Sequence, residues 1–347
     1  MRTLLKSVAL GLVPVLAFAQ GVERGAFRTT AQFVSYTVAG QTTSQIAILM
    51  LAIVPITGSF SVDVATAFAS TQSTVRSASS SLSGLTDTQV RGNYAFGSGN
   101  VVLTLGLNVP TGKSSLSGAE IAPAQAIGID FYTYPVSAYG SGLAGTLGVA
   151  VAGTAGDWEL GAGASMRKSS EYQPVSASTV KFTPGDEYRV RVGGQRAMGE
   201  GRLGLGLIVS AFGTPKASSA TTLSTGARAV VQAVYTRPMG SNELFVALWD
   251  LYTGSGKQFA TDVDASNIMN LALAYGIHNG ELTYEPNLEV RIISQGPSSG
   301  NLIFPGVRVR IPAGSWTFYP GAAAAFGTVV NQSVSGFRVS LGAHWQP

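Results

Sequence analysis

The stretch that decides the fold closes the chain: "GFRVSLGAHWQP", residues 336–347. Five alternate residues in it, ending at Trp345, are apolar, and the positions between them include Arg338, Ser340 and His344. A period of two is the pattern of a β-strand with one apolar and one polar face. The strand ends on an aromatic ring, which is favoured where a membrane meets water. We therefore expect Trp345 to lie at such an interface.

The same alternation recurs along the chain. In "DWELGAGASMRK" (157–168), Trp158, Leu160 and Met166 share one face. We count about sixteen such segments of roughly 10 to 14 residues, the length that a tilted strand needs to cross a membrane. Their predicted spans are 27–38, 42–54, 59–70, 87–97, 100–109, 143–154, 158–169, 187–198, 201–212, 226–237, 243–253, 265–277, 281–293, 302–311, 315–327 and 334–345.

The connections between these segments alternate in length. Those after even-numbered segments are short, such as "PITG" and "HNG". Outer-membrane barrels have short periplasmic turns and longer outer loops. We therefore predict a transmembrane antiparallel β-barrel of about sixteen strands, with fourteen as the alternative. The predicted long outer loops, which follow odd-numbered segments other than the first and last hairpins, are 71–86, 110–142, 170–186, 213–225, 254–264 and 294–301.

Composition agrees with a membrane barrel. Charged residues make up 12% of the chain, about half the share in soluble domains, and mean hydropathy is +0.25. The longest apolar run, "IAILMLAIV" (46–54), is too short for a spanning helix. A soluble β-sandwich would explain neither the apolar bias nor the rhythm of the loops. The chain contains no cysteine.

The N-terminus has the pattern of a secretory signal peptide. Arg2 and Lys6 precede an apolar stretch that ends in the small-x-small site 17–19. We predict a cleaved signal peptide over 1–19, a barrel over 20–347 and a location in the bacterial outer membrane. Removal of the leader lowers the net charge from +4 to +2, so nucleic acid is not an expected partner.

Three stretches carry a resemblance to a known family. "VVLTLGLNVPTGKS" (101–114), 140–153 and 172–194 are similar to segments of the long-chain fatty acid transporter superfamily, which includes the phenol-degradation outer-membrane proteins. The resemblance implies passage of hydrophobic solutes. Those transporters plug the barrel with an N-terminal hatch, for which this chain has no room before its first strand. Strand 336–345 also resembles the signal that the barrel-assembly machinery recognises, although Gln346 and Pro347 follow the aromatic.

The loop 110–142 follows the fifth strand, where sixteen-stranded general porins place a loop that folds inward and narrows the pore. Its acidic residues Glu120 and Asp130 would then face arginines and create a transverse field that selects small polar solutes. An exposed outer loop, with lumen charges that neutralise one another, is the alternative. The candidate arginines, all in the lumen phase of their strands, are Arg189, Arg191, Arg308, Arg310 and Arg338.

The second segment is apolar on both faces, with Leu49, Leu51 and Ile53 on the face opposite Ile48 and Met50. A strand that lines a wide aqueous pore has no reason for this pattern. Two explanations stay open: a path for a hydrophobic solute, or packing against a loop that folds inward.

No pattern in the sequence indicates catalysis. His278 lies in a turn, and Ser340 and His344 are about 13 Å apart on one strand, too far for a nucleophile and its base. A serine on a neighbouring strand could still reach His344. No metal-ligand spacing is present, and we expect no enzyme and no cofactor. The expected function is passive uptake of small, hydrophobic solutes across the outer membrane. A general porin for polar solutes, or a structural or receptor barrel with a closed lumen, is the alternative.

Overall fold

The computed structural model describes residues 25–97, 99–218, 223–258 and 261–347. Sixteen antiparallel strands form one closed barrel. They are β1 (Ala26–Val38), β2 (Gln41–Pro55), β3 (Phe60–Val75), β4 in two segments (Ala78–Leu85 and Thr88–Phe96), β5 (Val101–Val109), β6 (Ala144–Ala155), β7 (Trp158–Ser169), β8 (Glu187–Met198), β9 (Gly201–Phe212), β10 (Arg228–Met239), β11 (Asn242–Thr253), β12 (Ser266–Asn279), β13 (Leu282–Gln295), β14 (Ser298–Ala313), β15 (Trp316–Val329) and β16 (Gln332–Trp345).

The barrel closes where β1 pairs with β16, with Phe27 opposite Trp345 and Val38 opposite Val334. Closure leaves no free sheet edge, so the backbone hydrogen bonds are satisfied without water. The prediction of sixteen strands is confirmed over that of fourteen. The predicted signal peptide, 1–19, lies outside the described residues.

The outward phase of the strands is apolar. Leu105 on β5 lies directly opposite Leu147 on β6, and both side chains are more than half exposed. Val339 and Leu341 on β16 are similarly exposed. Contiguous exposed apolar surface on this scale is unfavourable in water and favourable in lipid. It is typical of a barrel that spans a bilayer.

Aromatic rings gather at the end of the barrel that carries the short turns. Trp316 is paired with Trp345, and its ring meets Phe27 edge to face at 6.4 Å and stacks on Phe318 at 6.2 Å. The guanidinium of Arg196 lies 5.0 Å from the ring of Trp158 near the same end. Aromatic girdles of this kind lie at membrane interfaces.

Two predicted outer loops, 71–86 and 294–301, are wrong, because both are mostly strand. β3 and β4 continue through the first and leave a tight turn at Arg76 (φ 56°), and β13 and β14 continue through the second. These stretches carry hydroxyls on both faces, so no apolar alternation marks them. Cross-strand bonds hold them instead: Gln72 Nε2 donates to Ser79 Oγ at 2.7 Å.

The long connections after β5, β7, β9 and β11 are confirmed. The connection after β5 contains an α-helix, α1 (Gly118–Ile127). Within the described residues, no helix is both long enough and apolar enough to cross a bilayer.

Candidate functional site: the lumen and the loop inside it

The loop between β5 and β6, residues 110–143, folds into the lumen. Gln45 on β2 is fully buried and binds the loop twice: its Nε2 donates to the Val136 carbonyl at 2.8 Å, and its Oε1 accepts from the Val136 amide at 2.9 Å. The hydroxyls of Tyr36 on β1 and Thr133 are 2.5 Å apart. These contacts join the loop to the inner face of β1 and β2.

The loop also contacts the part of the wall formed by β13 to β16, which lies on the other side of β1 from β2. Arg291 on β13 is buried, and its Nη1 donates to the Phe131 carbonyl at 3.0 Å. Its guanidinium lies between the rings of Trp249 and Phe304, at 5.4 and 5.7 Å. Its Nη2 donates to Glu289 at 3.2 Å. The loop is therefore fixed to two separate parts of the wall.

An apolar cluster holds α1 against the inner face of β2 to β4. Ala47, Ala69 and Leu82 face inward from these strands and pack against Ile127 of α1 and Val136. Leu49 packs at the edge of the same cluster. The part of β2 that is apolar on both faces is thus covered by the inward loop. Leu51 and Ile53 follow on the same inner face, beyond this cluster.

Asp87 anchors both ends of the loop. Its carboxylate accepts hydrogen bonds from the amides of Gly112 (3.1 Å) and Ser141 (2.8 Å) and from Asn108 Nδ2 (2.9 Å). Its own amide donates to the Tyr139 carbonyl at 3.1 Å. β4 is interrupted here because the backbone turns to these partners. Gly112 is required, since a Cβ there would collide with the Tyr139 carbonyl.

The predicted acidic residues have local partners. Glu120 lies in the first turn of α1, pairs with Lys113, and accepts from the amide and hydroxyl of Ser117, both at 2.9 Å. The hydrogen bond from Lys113 lowers the pKa of Glu120. Asp130 lies 3.6 Å from Arg228, at the first residue of β10. In the structure, neither is ion-paired with the five predicted arginines.

Those five arginines occupy three places. Arg308 donates to Glu285 (Nε to Oε2, 2.5 Å) and Arg338 donates to Glu289 (3.1 Å) on the β13–β16 wall. Arg310 contacts Thr283 Oγ1 (3.1 Å) and His278 Nε2 (3.4 Å) nearer the short turns. On β8, Arg189 Nη2 donates to Glu187 at 2.6 Å, and Arg191 lies over Gly163, where a Cβ would be 3.1 Å from its Nε.

The loop leaves two cavities in the lumen, and Pro135 lines both. The first cavity, of about 860 Å³, is lined by Arg28, Arg91, Arg167 and Asp87 and by Leu49 and Leu51. The second cavity, of about 580 Å³, lies along the β13–β16 wall. Its charged lining residues are Glu285, Glu289, Arg291, Arg308 and Arg338.

No protein-family model matches the sequence, and no curated protein sequence matches it. Solved structures do match. CdiB from Acinetobacter baumannii is similar with a TM-score of 0.53 at 9% identity, over 93% of this chain and 61% of CdiB, so the chain spans less than two thirds of that protein. A bacterial polysaccharide outer membrane secretin matches with a TM-score of 0.53 at 8% identity, over 94% of this chain and 99% of the secretin.

OprB of Pseudomonas putida matches with a TM-score of 0.50 at 10% identity, over 92% of this chain and 91% of OprB. The fold is that of an outer-membrane β-barrel. These matches do not single out the fatty acid transporter superfamily, so that finer resemblance stays a prediction.

Sequence reasoning missed the arginines of the first cavity, Arg28, Arg91 and Arg167. Each lies in the inward phase of its strand: Arg28 is paired with Leu51, and Arg91 with Asp63. In an outer-membrane β-barrel this phase is a usable signal, because a charge on the lipid face is costly. The alternation shows that these side chains point inward, but it does not show which strands line the same cavity.

Proposed function

We propose that the protein is a channel of the bacterial outer membrane for passive uptake of small solutes. One observation carries the proposal: the inward loop leaves cavities on both of its sides, and both are lined by charged side chains. In a barrel with only a structural role, charged side chains are not expected to line open cavities in the lumen. The proposal includes no catalytic step and no cofactor.

The apolar outer wall and the girdle around Trp345 support lipid as the surrounding medium. The similar folds of the outer membrane secretin and of OprB support the location. The C-terminal strand contains residues 336–345, whose alternating pattern resembles the signal for the barrel-assembly machinery. We propose that the machinery recognises this segment.

Solute polarity separates two versions of this proposal. The cavities favour polar or charged solutes, because arginines and carboxylates line both. Hydrophobic solutes, which the family resemblance implies, remain a second candidate, supported by Leu49 and Leu51 in the lining of the first cavity.

Conductance of the refolded mature protein in a planar bilayer tests the proposal. We expect discrete, steady channels in potassium chloride. A matched variant, in which Gly/Ser residues replace α1 and residues 128–131 without changing the length, removes the helix, its apolar contact with β2 to β4 and the buried Phe131 side chain. It keeps Gln45, Asp87 and their partners. This variant should conduct severalfold more. Silence from both folded proteins would contradict the channel and support the structural or receptor alternative.

A further inference from the structure

The first cavity brings together cations from strands that are distant in sequence. Arg28 lies on β1, Arg91 on β4 and Arg167 on β7, and all three line this one space. Two strands separate Arg91 from Arg167: Arg91 is opposite Gly106 on β5, Gly106 is opposite Thr146 on β6, and Thr146 is opposite Arg167. The two arginine side chains therefore share one face of the wall.

Two of the three arginines are not neutralised by an ion pair. Within the described residues, neither Arg28 nor Arg167 has a carboxylate within 4.0 Å, and the buried Nε of Arg28 has no hydrogen-bond partner. Arg91 lies 3.6 Å from Asp63 and keeps about half of its side chain exposed. A buried donor without a partner is costly, which favours an acceptor from outside the chain.

The carboxylate that lines this cavity does not offset the positive charge by direct pairing. Asp87 accepts from two loop amides and from Asn108 instead. The cavity therefore presents three guanidinium groups against one carboxylate that is already fully engaged. Guanidinium groups bind carboxylates through two parallel hydrogen bonds.

The rest of the lining is apolar. Leu49 and Leu51 project from β2, and Ala65 and Ala67 from β3, into the same cavity. Leu51 is directly opposite Arg28 in the β1–β2 pair, so an apolar group and a cation lie side by side. The volume of about 860 Å³ is in the range of sites for small organic molecules.

We infer that the first cavity is a binding site for small monocarboxylates that carry a short apolar group, such as benzoate or hexanoate. The carboxylate contacts Arg28, and the apolar group lies beside it against Leu49 and Leu51. Arg167 adds to the positive charge that faces the cavity. As the solute class for the channel, this inference rests on the proposed function. As a binding site, it can be tested without any passage of solute.

Calorimetry on the detergent-folded mature barrel tests the site, with sodium benzoate and sodium hexanoate as probes. Benzamide, the neutral analogue of benzoate, and acetate, which lacks the apolar group, are the ligand controls. We expect benzoate to bind and benzamide not to bind. Hexanoate should exceed acetate by up to about fourfold per buried methylene.

The double variant R28Q/R167Q should weaken benzoate binding by about tenfold or more. R310Q is the matched control, because it removes a lumen arginine that lines neither cavity, and it should change affinity by less than about twofold. L51S should reduce the advantage of hexanoate over acetate while acetate binding stays unchanged. Its side chain lies outside the apolar cluster that holds the loop, so the variant is expected to fold.

Equal weakening by R310Q and R28Q/R167Q, or equal binding of benzoate and benzamide, would overturn the inference. Conductance without benzoate binding would overturn the site and leave the channel. Benzoate binding without conductance would support the binding site and contradict the channel. Carboxylates would then not be a solute that passes through the barrel. If the double variant does not fold, benzoate binding is measured with the single variants R28Q and R167Q instead.

Discussion

The two cavities use the same types of side chain in opposite ways. In the second cavity, Arg308 is paired with Glu285, and Glu289 accepts from both Arg291 and Arg338. In the first cavity, Arg28 and Arg167 have no such partner among the described residues, and Asp87 holds the loop. An arginine buried with its carboxylate positions the loop. An arginine left facing open space is available to a solute.

Removal of Arg291 should have the largest effect on the second cavity. Arg291→Met leaves the Phe131 carbonyl without its donor and Glu289 with one cation instead of two. We expect a loss of about 3 to 5 kcal/mol in the free energy of unfolding, the range for breaking a buried ion pair. Urea titration in detergent measures it. Arg310→Met is the control, because its hydrogen bonds go to Thr283 and His278 and not to a carboxylate. A similar loss there would contradict the special role of Arg291.

Glu289→Gln should make the second cavity resemble the first. The carboxylate that bridges Arg291 and Arg338 becomes neutral, so two guanidinium groups face the space with less compensation. We expect about 2 to 3 kcal/mol of destabilisation and a shift of ion selectivity toward anions. An unchanged reversal potential in a salt gradient would show that solutes do not sample this cavity.

Gln45→Ala tests the contact at Val136, the loop residue next to Pro135, which lines both cavities. It removes two hydrogen bonds to Val136 and leaves that amide and carbonyl buried. We expect a loss of about 2 kcal/mol and noisier open channels, because the loop is released on one side. Gln32→Ala, on the inward phase of β1, is the control. Identical recordings from the two variants would argue against Gln45 as a fixed point of the loop.

The smallest effect belongs to Glu120, which lies outside both cavities. Its pKa is lowered in the folded state, so its stabilisation is present above the unfolded pKa and is lost as pH falls through the folded one. Glu120→Gln should therefore cost about 1 kcal/mol or less at pH 7, and the difference from the wild type should shrink as pH falls below the ordinary pKa of 4.5. Thermal unfolding at pH 7 and pH 3 measures this. A difference that is as large at pH 3 as at pH 7 would contradict the assignment to charge.

The barrel itself could be predicted from the sequence, because a period of two is a local property and appears in most of the strands. Arg308 and Arg338, which share the inward phase, both line the second cavity. The period of two did not reveal the strands in 71–86, because serines and threonines occupy both faces there. Strand ends beyond the apolar band carry no alternation for sequence reasoning to detect.

The site was harder to predict, because it depends on residues that meet across the lumen. The spacing of Arg28, Arg91 and Arg167 in the sequence says nothing of a shared cavity. The place of Glu120 in the loop makes it one candidate for a constriction, whereas "SGAE" (117–120) carries a capping-box pattern that indicates a helix start. That local signal predicts its observed contacts better than the porin comparison does.

The reversal potential of single channels in a potassium chloride gradient tests most directly the difference between the two cavities. We predict preference for chloride in the wild type, a shift toward potassium in R28Q/R167Q, and little change in R310Q. A channel that prefers potassium, or one in which R28Q/R167Q and R310Q shift the potential equally, would contradict the claim that the first cavity holds the uncompensated positive charge of the lumen.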